Sequence, residues 1–499
     1  MPIEKLLSST SMLNFRNSCP RCPATSRAYA EKMIDGIGKT HFRKEHPKDL
    51  VQILIDQGLL ISGDDVACDS SEECDVVQFA ESGTMWLTGP ESAPPLWPDG
   101  RLMTNIRDAK SVIERFSTSF GPSLAIEVSL LLSGRAVHRG FQRHGQISAG
   151  QKCRLIRSSD SWIAISLARP DDFNAIPAIT GTEVGSDPWQ TLIDHAQSVE
   201  GIQVVDQCQI LGVAASQLPA RNQRGKASSN SPFKVHRLGE AAVRVSNQPP
   251  LVIDLTSMWA GPLCANLLGR CGARIIKIES TNRPDGARLG DSELFGRLHG
   301  GHEFVSLRFD SPADVEILKR LINNADVVME SSRPRALLQL GIDAETFVSG
   351  RPGRTWISIT GYGRTGSSSN AVAFGDDAAV GAGLVAWVDD DSPAFCGDAI
   401  ADPIAGLFAT AAGLGSLRLG GGHLIDVSLR DCAAFANSGK ICAGNHAVKN
   451  ISGDNWQIES DGKFFEVRRP QRVFGGSKAP SIGENTEEIL EEFGISATP

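Results

Sequence analysis

The sequence lacks any apolar run of the ~18–20 residues that a membrane span requires. It also lacks an excess of positive charge. Its 58 acidic residues outnumber 49 basic ones and give a formal net charge of −9, which argues against nucleic-acid binding. The first residues, MPIEKLLSSTSMLNF, have an early acidic residue and no sustained apolar core, so we expect no signal peptide. These absences predict a cytoplasmic protein with neither a membrane nor a nucleic acid among its partners.

A disulfide framework is not expected, although the chain has 11 cysteines. They are odd in number and scattered, which is typical of reduced intracellular thiols. Cys19 and Cys22, followed by His41 and His46, approach the ligand pattern of a zinc site. The gap to the first histidine is longer than in common zinc fingers, and the segment has few hydrophobic residues to pack. We therefore expect an ordinary N-terminal segment and no metal site.

The length of 499 residues, with 41% hydrophobic and 21% charged residues, predicts a globular protein of two to four domains. Residues 1–70 are polar and irregular, and residues 71–216 alternate apolar segments with turns. Residues 217–249 are a predicted linker, because QLPARNQRGKASSNSP at their start offers almost nothing to bury. Residues 250–499 return repeatedly to a strand-then-helix pattern, which predicts an α/β domain with a parallel sheet.

The stretch from Leu251 to Glu279, LVIDLTSMWAGPLCANLLGRCGARIIKIE, predicts a β–α–β unit of that sheet. Pro262 is tolerated in the first turn of the helix, and Gly272 can end the helix in the left-handed conformation. Ligands of such sheets bind at the carboxyl ends of the strands. The turn lacks the G-x-G-x-x-G pattern that lets a backbone approach a pyrophosphate, which disfavours a nicotinamide or flavin cofactor.

Asp402, in GDAIADPIAGLFA, stands immediately before a proline and an apolar helix. The simplest interpretation is an N-cap, whose carboxylate accepts hydrogen bonds from the unpaired amides of the first helical turn. A functional interpretation uses the same position, because the small neighbours Ala401, Ala405 and Gly406 leave room for a thioester. Carboxylates can form covalent acyl intermediates, and backbone amides can stabilise the resulting oxyanion. Local sequence leaves both interpretations open.

Five ordered blocks over residues 250–436 resemble the family III CoA-transferases, which include carnitine and formyl-CoA transferases and the related methylacyl-CoA racemases. The blocks are DLTSMWAGPLCANLLGRCGARIIKIES, ADVVMESSRPRALLQLGID, WISITGYGRTG, AIADPIAGLFA and HLIDVSLRDCAAF. The closing APSIGENTEEILEEFG also resembles the C-terminal helix of that family. The order and spacing of the blocks make the resemblance far more specific than any one of them.

The resemblance implies an α/β fold with a Rossmann-like parallel-sheet large domain and a smaller α+β domain, usually in a homodimer of interlocked chains. It implies coenzyme A, as acyl-CoA, and a carboxylic acid as substrates. It places the catalytic carboxylate on Asp402, which would attack the acyl-CoA thioester to form a mixed anhydride. It places CoA contacts on Trp259, Ala260, Ser331, Ser332, Gly361 and Tyr362.

Several residues depart from the family pattern. His299 to His302 stand where the family has N-x-x-K, and Ser280 stands where an arginine often contacts the nucleotide. Losing such charge-assisted contacts should weaken CoA binding. Four other basic residues either compensate for this loss or form ordinary solvated surface: Arg274, Lys277, Arg283 and Arg288. A degenerate homologue that binds CoA without turnover is therefore an alternative to an active transferase.

A racemase or isomerase is a second alternative. Those enzymes pair the aspartate with a histidine in a G-H-D segment, and Asp376 stands at the position of that histidine here. Two carboxylates would then share the proton transfers, which requires that one of them has a raised pKa. This replacement favours the transferase over the racemase.

The N-terminal half contains a segment, Arg139 to Asp172, that is similar to the small domain of the family. In most members the small domain follows the large one, so this region is either a permuted small domain or the remnant of a duplicated copy. In a duplicated copy, Asp108 would occupy the position of Asp402. Arg107 and Lys110 crowd Asp108, so we expect no catalytic role for it.

Overall fold

The computed structural model describes residues 48–62, 74–121, 123–220, 231–243, 248–441, 444–472 and 478–495. Within it, Lys48–Pro499 form one compact unit. The cysteine and histidine pattern considered for zinc lies outside the described residues. Among the residues that are described, no group of three or more His, Cys, Asp or Glu side chains is arranged to hold a metal ion.

The strands of the described residues are numbered here in chain order: β1 (Cys153–Arg157), β2 (Trp162–Ser166), β3 (Ala214–Gln217), β4 (Phe233–Arg237), β5 (Leu251–Leu255), β6 (Arg274–Ser280), β7 (Glu303–Leu307), β8 (Val327–Glu330), β9 (Thr355–Thr360), β10 (Ala386–Trp387), β11 (Pro393–Ala394), β12 (His423–Ser428), β13 (His446–Ser452), β14 (Asn455–Ser460) and β15 (Lys463–Glu466).

The helices are numbered in the same way: α1 (Leu50–Asp56), α2 (Asp75–Glu81), α3 (Leu102–Ser117), α4 (Val128–Arg139), α5 (Pro170–Asn174), α6 (Ile176–Thr180), α7 (Pro188–Ser198), α8 (Gly201–Ile210), α9 (Ala260–Arg270), α10 (Ser292–His299), α11 (Pro312–Asn324), α12 (Pro334–Gln339), α13 (Ala344–Ser349), α14 (Gly375–Gly381), α15 (Ala401–Arg418), α16 (Leu429–Ala436) and α17 (Thr486–Glu492). Two short 3₁₀ segments lie at Met85–Leu87 and Gly286–Leu289.

The central element is a seven-stranded sheet in the order β4-β12-β9-β8-β5-β6-β7. Six of its strands are parallel, and the edge strand β4 pairs antiparallel with β12. Phe233 in β4 is buried, whereas the polar residues Lys234, His236 and Arg237 of this strand are exposed. Residues 233–237, which fall within the predicted linker 217–249, are therefore a strand of the main sheet. The remaining domain boundaries stay predictions.

The predicted β–α–β unit is confirmed as β5, α9 and β6, with β5 and β6 parallel. Gly272 follows the helix with a φ of +100°, a conformation that favours glycine. Strands buried on both faces are typical of parallel sheets covered by helices. The three central residues of β5 and all six residues of β9 are buried accordingly.

Helix α15 lies at the centre of the core on one face of this sheet. Sixteen of its eighteen residues are buried, the exceptions being Asp402 and Arg418. It packs against α3, α9 and α16. The approach to α9 is close, since a Cβ added at Gly406 would lie 2.9 Å from the carbonyl oxygen of Ala260. A buried apolar helix thus carries one incompletely buried carboxylate at its start.

A smaller antiparallel sheet, β1-β2-β3, packs with helices α5 to α8 around a second apolar core that includes Ile163, Ile165, Trp189 and Val204. The predicted fold class, a large parallel-sheet α/β unit with a smaller α+β unit, is confirmed. A further three-stranded sheet, β13-β14-β15, follows the large unit in the chain. Whether the small unit is permuted or a duplication remnant stays a prediction.

Two expectations drawn from composition meet the structure here. Within the described residues, no helix is both long and apolar enough to cross a membrane. Free, buried thiols are found at Cys153, Cys208, Cys264, Cys271, Cys396 and Cys432. Cys74, however, is disulfide-bonded, so the expectation of reduced thiols is wrong at this residue. Cysteine counting could not reveal this, because it does not show which sulfur atoms the fold brings together.

Candidate active site

The predicted CoA contacts lie in loops that follow three neighbouring strands, β5, β8 and β9. Parallel neighbours present their carboxyl ends at one edge of the sheet, where ligands of such folds bind. The structure therefore brings together the loops that carry all six residues: Trp259, Ala260, Ser331, Ser332, Gly361 and Tyr362. A hydrogen bond joins two of these loops, since the amide of Ser257 donates to Ser331 Oγ at 3.1 Å.

Most of these side chains already have partners within the chain. Trp259 and Ala260 are each only 6% exposed at the start of α9. Ser332 Oγ donates to Glu330 Oε2 at 3.0 Å. Tyr362 Oη donates to the carbonyl oxygen of Ala215 at 3.3 Å, and Arg430 lies over its ring. Any contact with a ligand would therefore use backbone atoms or remaining side-chain edges, and the CoA roles stay a prediction.

Asp402 is the second residue of α15 and not its N-cap. The helix is Ala401–Arg418 with Ile400 before it, so the N-cap interpretation is wrong. The chain turns sharply just upstream, at Ala399, whose φ is +42°. Such a conformation is uncommon for a residue with a Cβ and is frequent at functional sites. The carboxylate of Asp402 remains half-buried while its helical neighbours are fully buried.

Gly375, the first residue of α14, lies directly against this carboxylate. A Cβ added at Gly375 would be 2.8 Å from Asp402 Oδ2 and 2.3 Å from the carbonyl oxygen of Ala399. The absence of a side chain lets the backbone N–H of Gly375 hydrogen-bond to Asp402, which favours the ionised carboxylate. The start of α14 and the start of α15 therefore meet at Asp402.

Three charged groups face Asp402. Burial raises the pKa of Asp402 to about 7, Arg135 opposes this shift, and the carboxylates Asp376 and Asp398 add to it. The pKa of Asp376 is also raised, to about 6, by burial and by Asp398. Asp376 Oδ1 accepts a hydrogen bond from the amide of Ala399 at 2.9 Å. The site can therefore exchange protons near neutral pH, and perturbed pKa values of this kind are enriched at functional sites.

Arg135 is the charged residue of this cluster that the sequence did not indicate. Its guanidinium donates two hydrogen bonds to the fully buried Asp398, one of them from Nε to Oδ2 at 2.8 Å. It also lies 4.7 Å from the centre of the Trp259 ring. The sequence of α4 did not single out Arg135, because the same helix also carries His138 and Arg139.

Asp377 is fully buried beside this site. Its Oδ1 accepts hydrogen bonds from the amide of Phe374 at 2.9 Å and from Ser166 Oγ at 2.8 Å. Ser216 Oγ donates to its backbone carbonyl at 2.6 Å. Within the described part of the chain Oδ2 has no hydrogen-bond partner. Ser166 and Ser216 belong to β2 and β3, so these contacts seat the small sheet against α14.

Asp377 should make stability fall as the pH rises. Burial raises its pKa in the folded state to about 7 from an ordinary value of 3.8. A raised carboxyl pKa stabilises the fold fully below the unfolded value, and this contribution is lost as pH rises through the folded value. We expect the Tm of Asp377→Asn to decrease less than that of the wild type between pH 5 and 8.5, by differential scanning fluorimetry. Equal decreases in both proteins, with the exposed Asp206→Asn as control, would contradict this.

Most of the basic residues expected to compensate for the missing CoA contacts are engaged elsewhere. Lys277 is fully buried, donates to the carbonyl oxygen of Thr256 at 2.6 Å and faces two carboxylates. Arg274 pairs with Glu303 and Glu492, and Arg288 pairs with Glu279. These three cannot also bind phosphates, so the expectation of compensation is wrong for them. Of the four, only Arg283 is exposed, and its side chain forms no ion pair within the described part of the chain.

The part of the chain that forms this edge of the sheet matches a known protein family. Residues 250–457 match the family model described as CoA-transferase family III. This segment is therefore similar to CoA-transferase family III. The matched segment holds Asp402 and the strand-end loops, whereas Arg135, Ser166 and Ser216 lie outside it.

Named relatives are similar over the same part of the chain. Succinyl-CoA–D-citramalate CoA-transferase of Chloroflexus aurantiacus is 29% identical over 240 residues, which are 43% of this chain and 60% of the relative. Succinyl-CoA:glutarate CoA-transferase of Mus musculus is 31% identical over 191 residues, which are 36% of this chain and 44% of the relative. The chain thus spans about half the length of these relatives. A CAIB/BAIF family protein from Brucella suis, a solved structure, is 24% identical with a TM-score of 0.37 and covers 42% of this chain and 65% of its own.

Proposed function

We propose that this protein is an acyl-CoA transferase that moves CoA between carboxylic acids, with Asp402 as the nucleophile. The observation that carries the proposal is a half-buried carboxylate whose pKa is about 7, held against Gly375 in a segment that is similar to family III. A carboxylate with a raised pKa is a stronger nucleophile once ionised and is still substantially ionised at neutral pH. Because its helical neighbours are small and buried, the exposed side of the Asp402 carboxylate stays accessible to substrate.

In the proposed reaction an oxygen of Asp402 attacks the donor thioester carbonyl, the C–S bond breaks, and CoA leaves as a thiolate. The product is a mixed anhydride of the donor acid with Asp402. The thiolate then attacks the Asp402 carbonyl, forming an aspartyl-CoA thioester and releasing the donor carboxylate. An acceptor carboxylate attacks this thioester, which breaks its C–S bond, releases the CoA thiolate and forms a second mixed anhydride. The thiolate finally attacks the acceptor carbonyl of this anhydride, which gives the new acyl-CoA and returns Asp402 to its ionised form. The amide of Gly375 is placed to stabilise the charge that develops on Asp402.

We propose that CoA lies across the carboxyl ends of β5, β8 and β9 and that its phosphates meet a basic group beyond β6 and β8. Burial, and then the like charges of Arg335, Arg169 and Arg283, lower the pKa of Arg333. These three like charges therefore lie near the Arg333 guanidinium, but Arg169 is already paired with Asp172. Arginine pairs well with phosphate oxygens, so Arg283, Arg333 and Arg335 replace the contacts that family members make at the positions of Ser280 and His302.

The names of the relatives suggest which probes to use first. Both the Chloroflexus and the mouse relatives are named for succinyl-CoA as one partner of the exchange. We propose succinyl-CoA as the first donor to test, with small dicarboxylic acids such as glutarate as acceptors. A homodimer and a cytoplasmic location are also part of the proposal.

An acyl-CoA racemase is the second candidate function, because the pKa values of Asp376 and Asp402 are raised to about 6 and about 7, and Asp376 contributes to the shift of Asp402. Two such carboxylates could remove and return a proton at the α-carbon of an acyl-CoA. Exchange of the α-proton for deuterium without transfer to an acceptor acid would favour this candidate. Transfer without exchange would favour the transferase.

Trapping the covalent intermediate tests the proposed function directly. Wild-type protein incubated with succinyl-CoA and then with hydroxylamine should carry a hydroxamate on the peptide that contains Asp402, detected by mass spectrometry. Hydroxylamine captures the aspartyl-CoA thioester because it is a better nucleophile toward thioesters than water. Absence of the adduct at this peptide, in protein that does exchange CoA, would contradict the aspartyl mechanism.

A further inference from the structure

Arg135 comes from a part of the chain that the family III match does not include, yet it lies within the carboxylate cluster. It belongs to α4, and 263 positions separate it from Asp398. Its side chain is 25% exposed, whereas that of Asp398 is 0% exposed. A buried carboxylate without a partner is strongly unfavourable, so Asp398 depends on this guanidinium.

The ion pair between Arg135 and Asp398 also fixes the segment that leads into α15. Asp398 and Asp402 are separated by the turn at Ala399, whose amide donates to Asp376. Arg135 therefore holds one side of the turn through Asp398, and Asp376 holds the middle of it. On its other face the guanidinium lies over the ring of Trp259, at the start of α9. Cation–π contacts of this kind are attractive and hold the two side chains together. One side chain thus connects the turn, the Trp259 loop and α4.

We propose that Arg135 is a positioning residue that holds Asp402 for attack and keeps it ionised, so that the N-terminal half of this chain completes its own active site. This rests on the proposed transferase function. The charged groups that face Asp402 are Asp376 from α14, Asp398 from the preceding turn and Arg135 from α4. Arg135 supplies the positive charge among them, and its pairing with Asp398 leaves Asp402 next to a nearly neutral pair.

The charges of Arg135 and Asp398 can be removed singly or together, and comparing these variants tests the proposal. Arg135→Gln leaves Asp398 uncompensated, Asp398→Asn leaves Arg135 in excess, and the double variant removes both charges. We expect the acid limb of the pH–rate profile for succinyl-CoA transfer to move upward by about one pH unit in Arg135→Gln. It should move downward in Asp398→Asn and return toward the wild-type midpoint in the double variant. The transfer rate of Arg135→Gln relative to that of the wild type should therefore be about tenfold lower at pH 6 than at pH 9.

Two further variants separate positioning from folding. Arg135→Lys keeps the charge and loses the two-pronged contact, so its midpoint should stay while kcat falls. Arg139→Gln removes an exposed arginine of the same helix and should change neither quantity. An unmoved midpoint in Arg135→Gln would overturn the proposal. A double variant whose midpoint is displaced as far as that of Arg135→Gln would overturn it as well, since a purely structural role would give that result.

A second readout does not depend on turnover. Carbodiimide activates protonated carboxyl groups, so the pH dependence of amine incorporation at the Asp402 peptide reports when this residue is protonated. The labelling midpoints of the variants should follow the same order as their rate profiles. If the wild type transfers no CoA, the proposed function fails. The labelling midpoints then decide separately whether Arg135 controls the ionisation of Asp402.

Discussion

Replacing Asp402 by asparagine is expected to lower the rate of CoA transfer by about a thousandfold or more, which is typical of removing a covalent nucleophile. Asparagine has nearly the same shape and keeps an oxygen that can accept the hydrogen bond from Gly375, but it cannot form the anhydride. Binding of succinyl-CoA should change little, because the proposed CoA contacts lie on other loops. Steady-state rates and calorimetric titration with succinyl-CoA measure the two quantities separately.

Asp108→Asn is the matched control for this variant. Asp108 is a buried carboxylate on α3, a helix that packs against α15, and it would occupy the position of Asp402 if the N-terminal half were the remnant of a duplicated copy. Its replacement should leave the rate per folded molecule close to that of the wild type. CoA transfer that survives in Asp402→Asn would contradict the aspartyl mechanism. An equal loss in both variants would instead indicate a general effect on the core.

The pH–rate profile of the wild type should reflect the ionisation of Asp402. The pKa of Asp402 is raised to about 7, and only the ionised form attacks the thioester. The rate should therefore fall as pH decreases through 7, not through the range near 4 expected of an ordinary aspartate. This dependence has the opposite sign to the stability contribution of Asp377, which is lost as pH increases.

Local sequence was sufficient to predict most of the large unit. The repeated strand-then-helix pattern of residues 250–499 predicted a parallel sheet and its β–α–β unit at Leu251, and the structure has both. These signals are periodic and local, since each depends on neighbouring residues that share a face or a cap. The strand Phe233–Arg237 was missed because it follows a polar segment and pairs only at an edge.

The electrostatics of the site could not be predicted in this way. Lys277 was considered either as a CoA contact or as solvated surface, but it lies within a strand that is buried on both faces and pairs with Asp254 and Asp285. Arg135 meets Asp398 only because the chain folds back over 263 positions. Which charges become paired depends on tertiary contacts, and these determine whether Asp402 titrates near 4 or near 7.

Replacing Gly375 by alanine is expected to lower kcat by about tenfold to a hundredfold, since a misplacement of about 1 Å can have that effect on a reacting group. The backbone of Gly375 is not left-handed, and alanine is a good helix former, so α14 itself should not be strained. The only change is a methyl group, which would lie 2.3 Å from the carbonyl oxygen of Ala399 and 2.8 Å from Asp402 Oδ2. Both atoms must move away, and the carboxylate moves with them.

Gly381→Ala, at the other end of the same helix, distinguishes this displacement from a general effect on α14. Its added Cβ would lie 3.0 Å from the side chain of Ser216 and would not meet Asp402. We expect its kcat to remain near that of the wild type, while Gly375→Ala loses kcat with a smaller change in KM. Equal kcat in the two variants would mean that the closeness of Gly375 to Asp402 has no part in the reaction. A loss confined to Gly375→Ala would identify this contact as the one that positions the nucleophile, because the two variants add the same atom to the same helix.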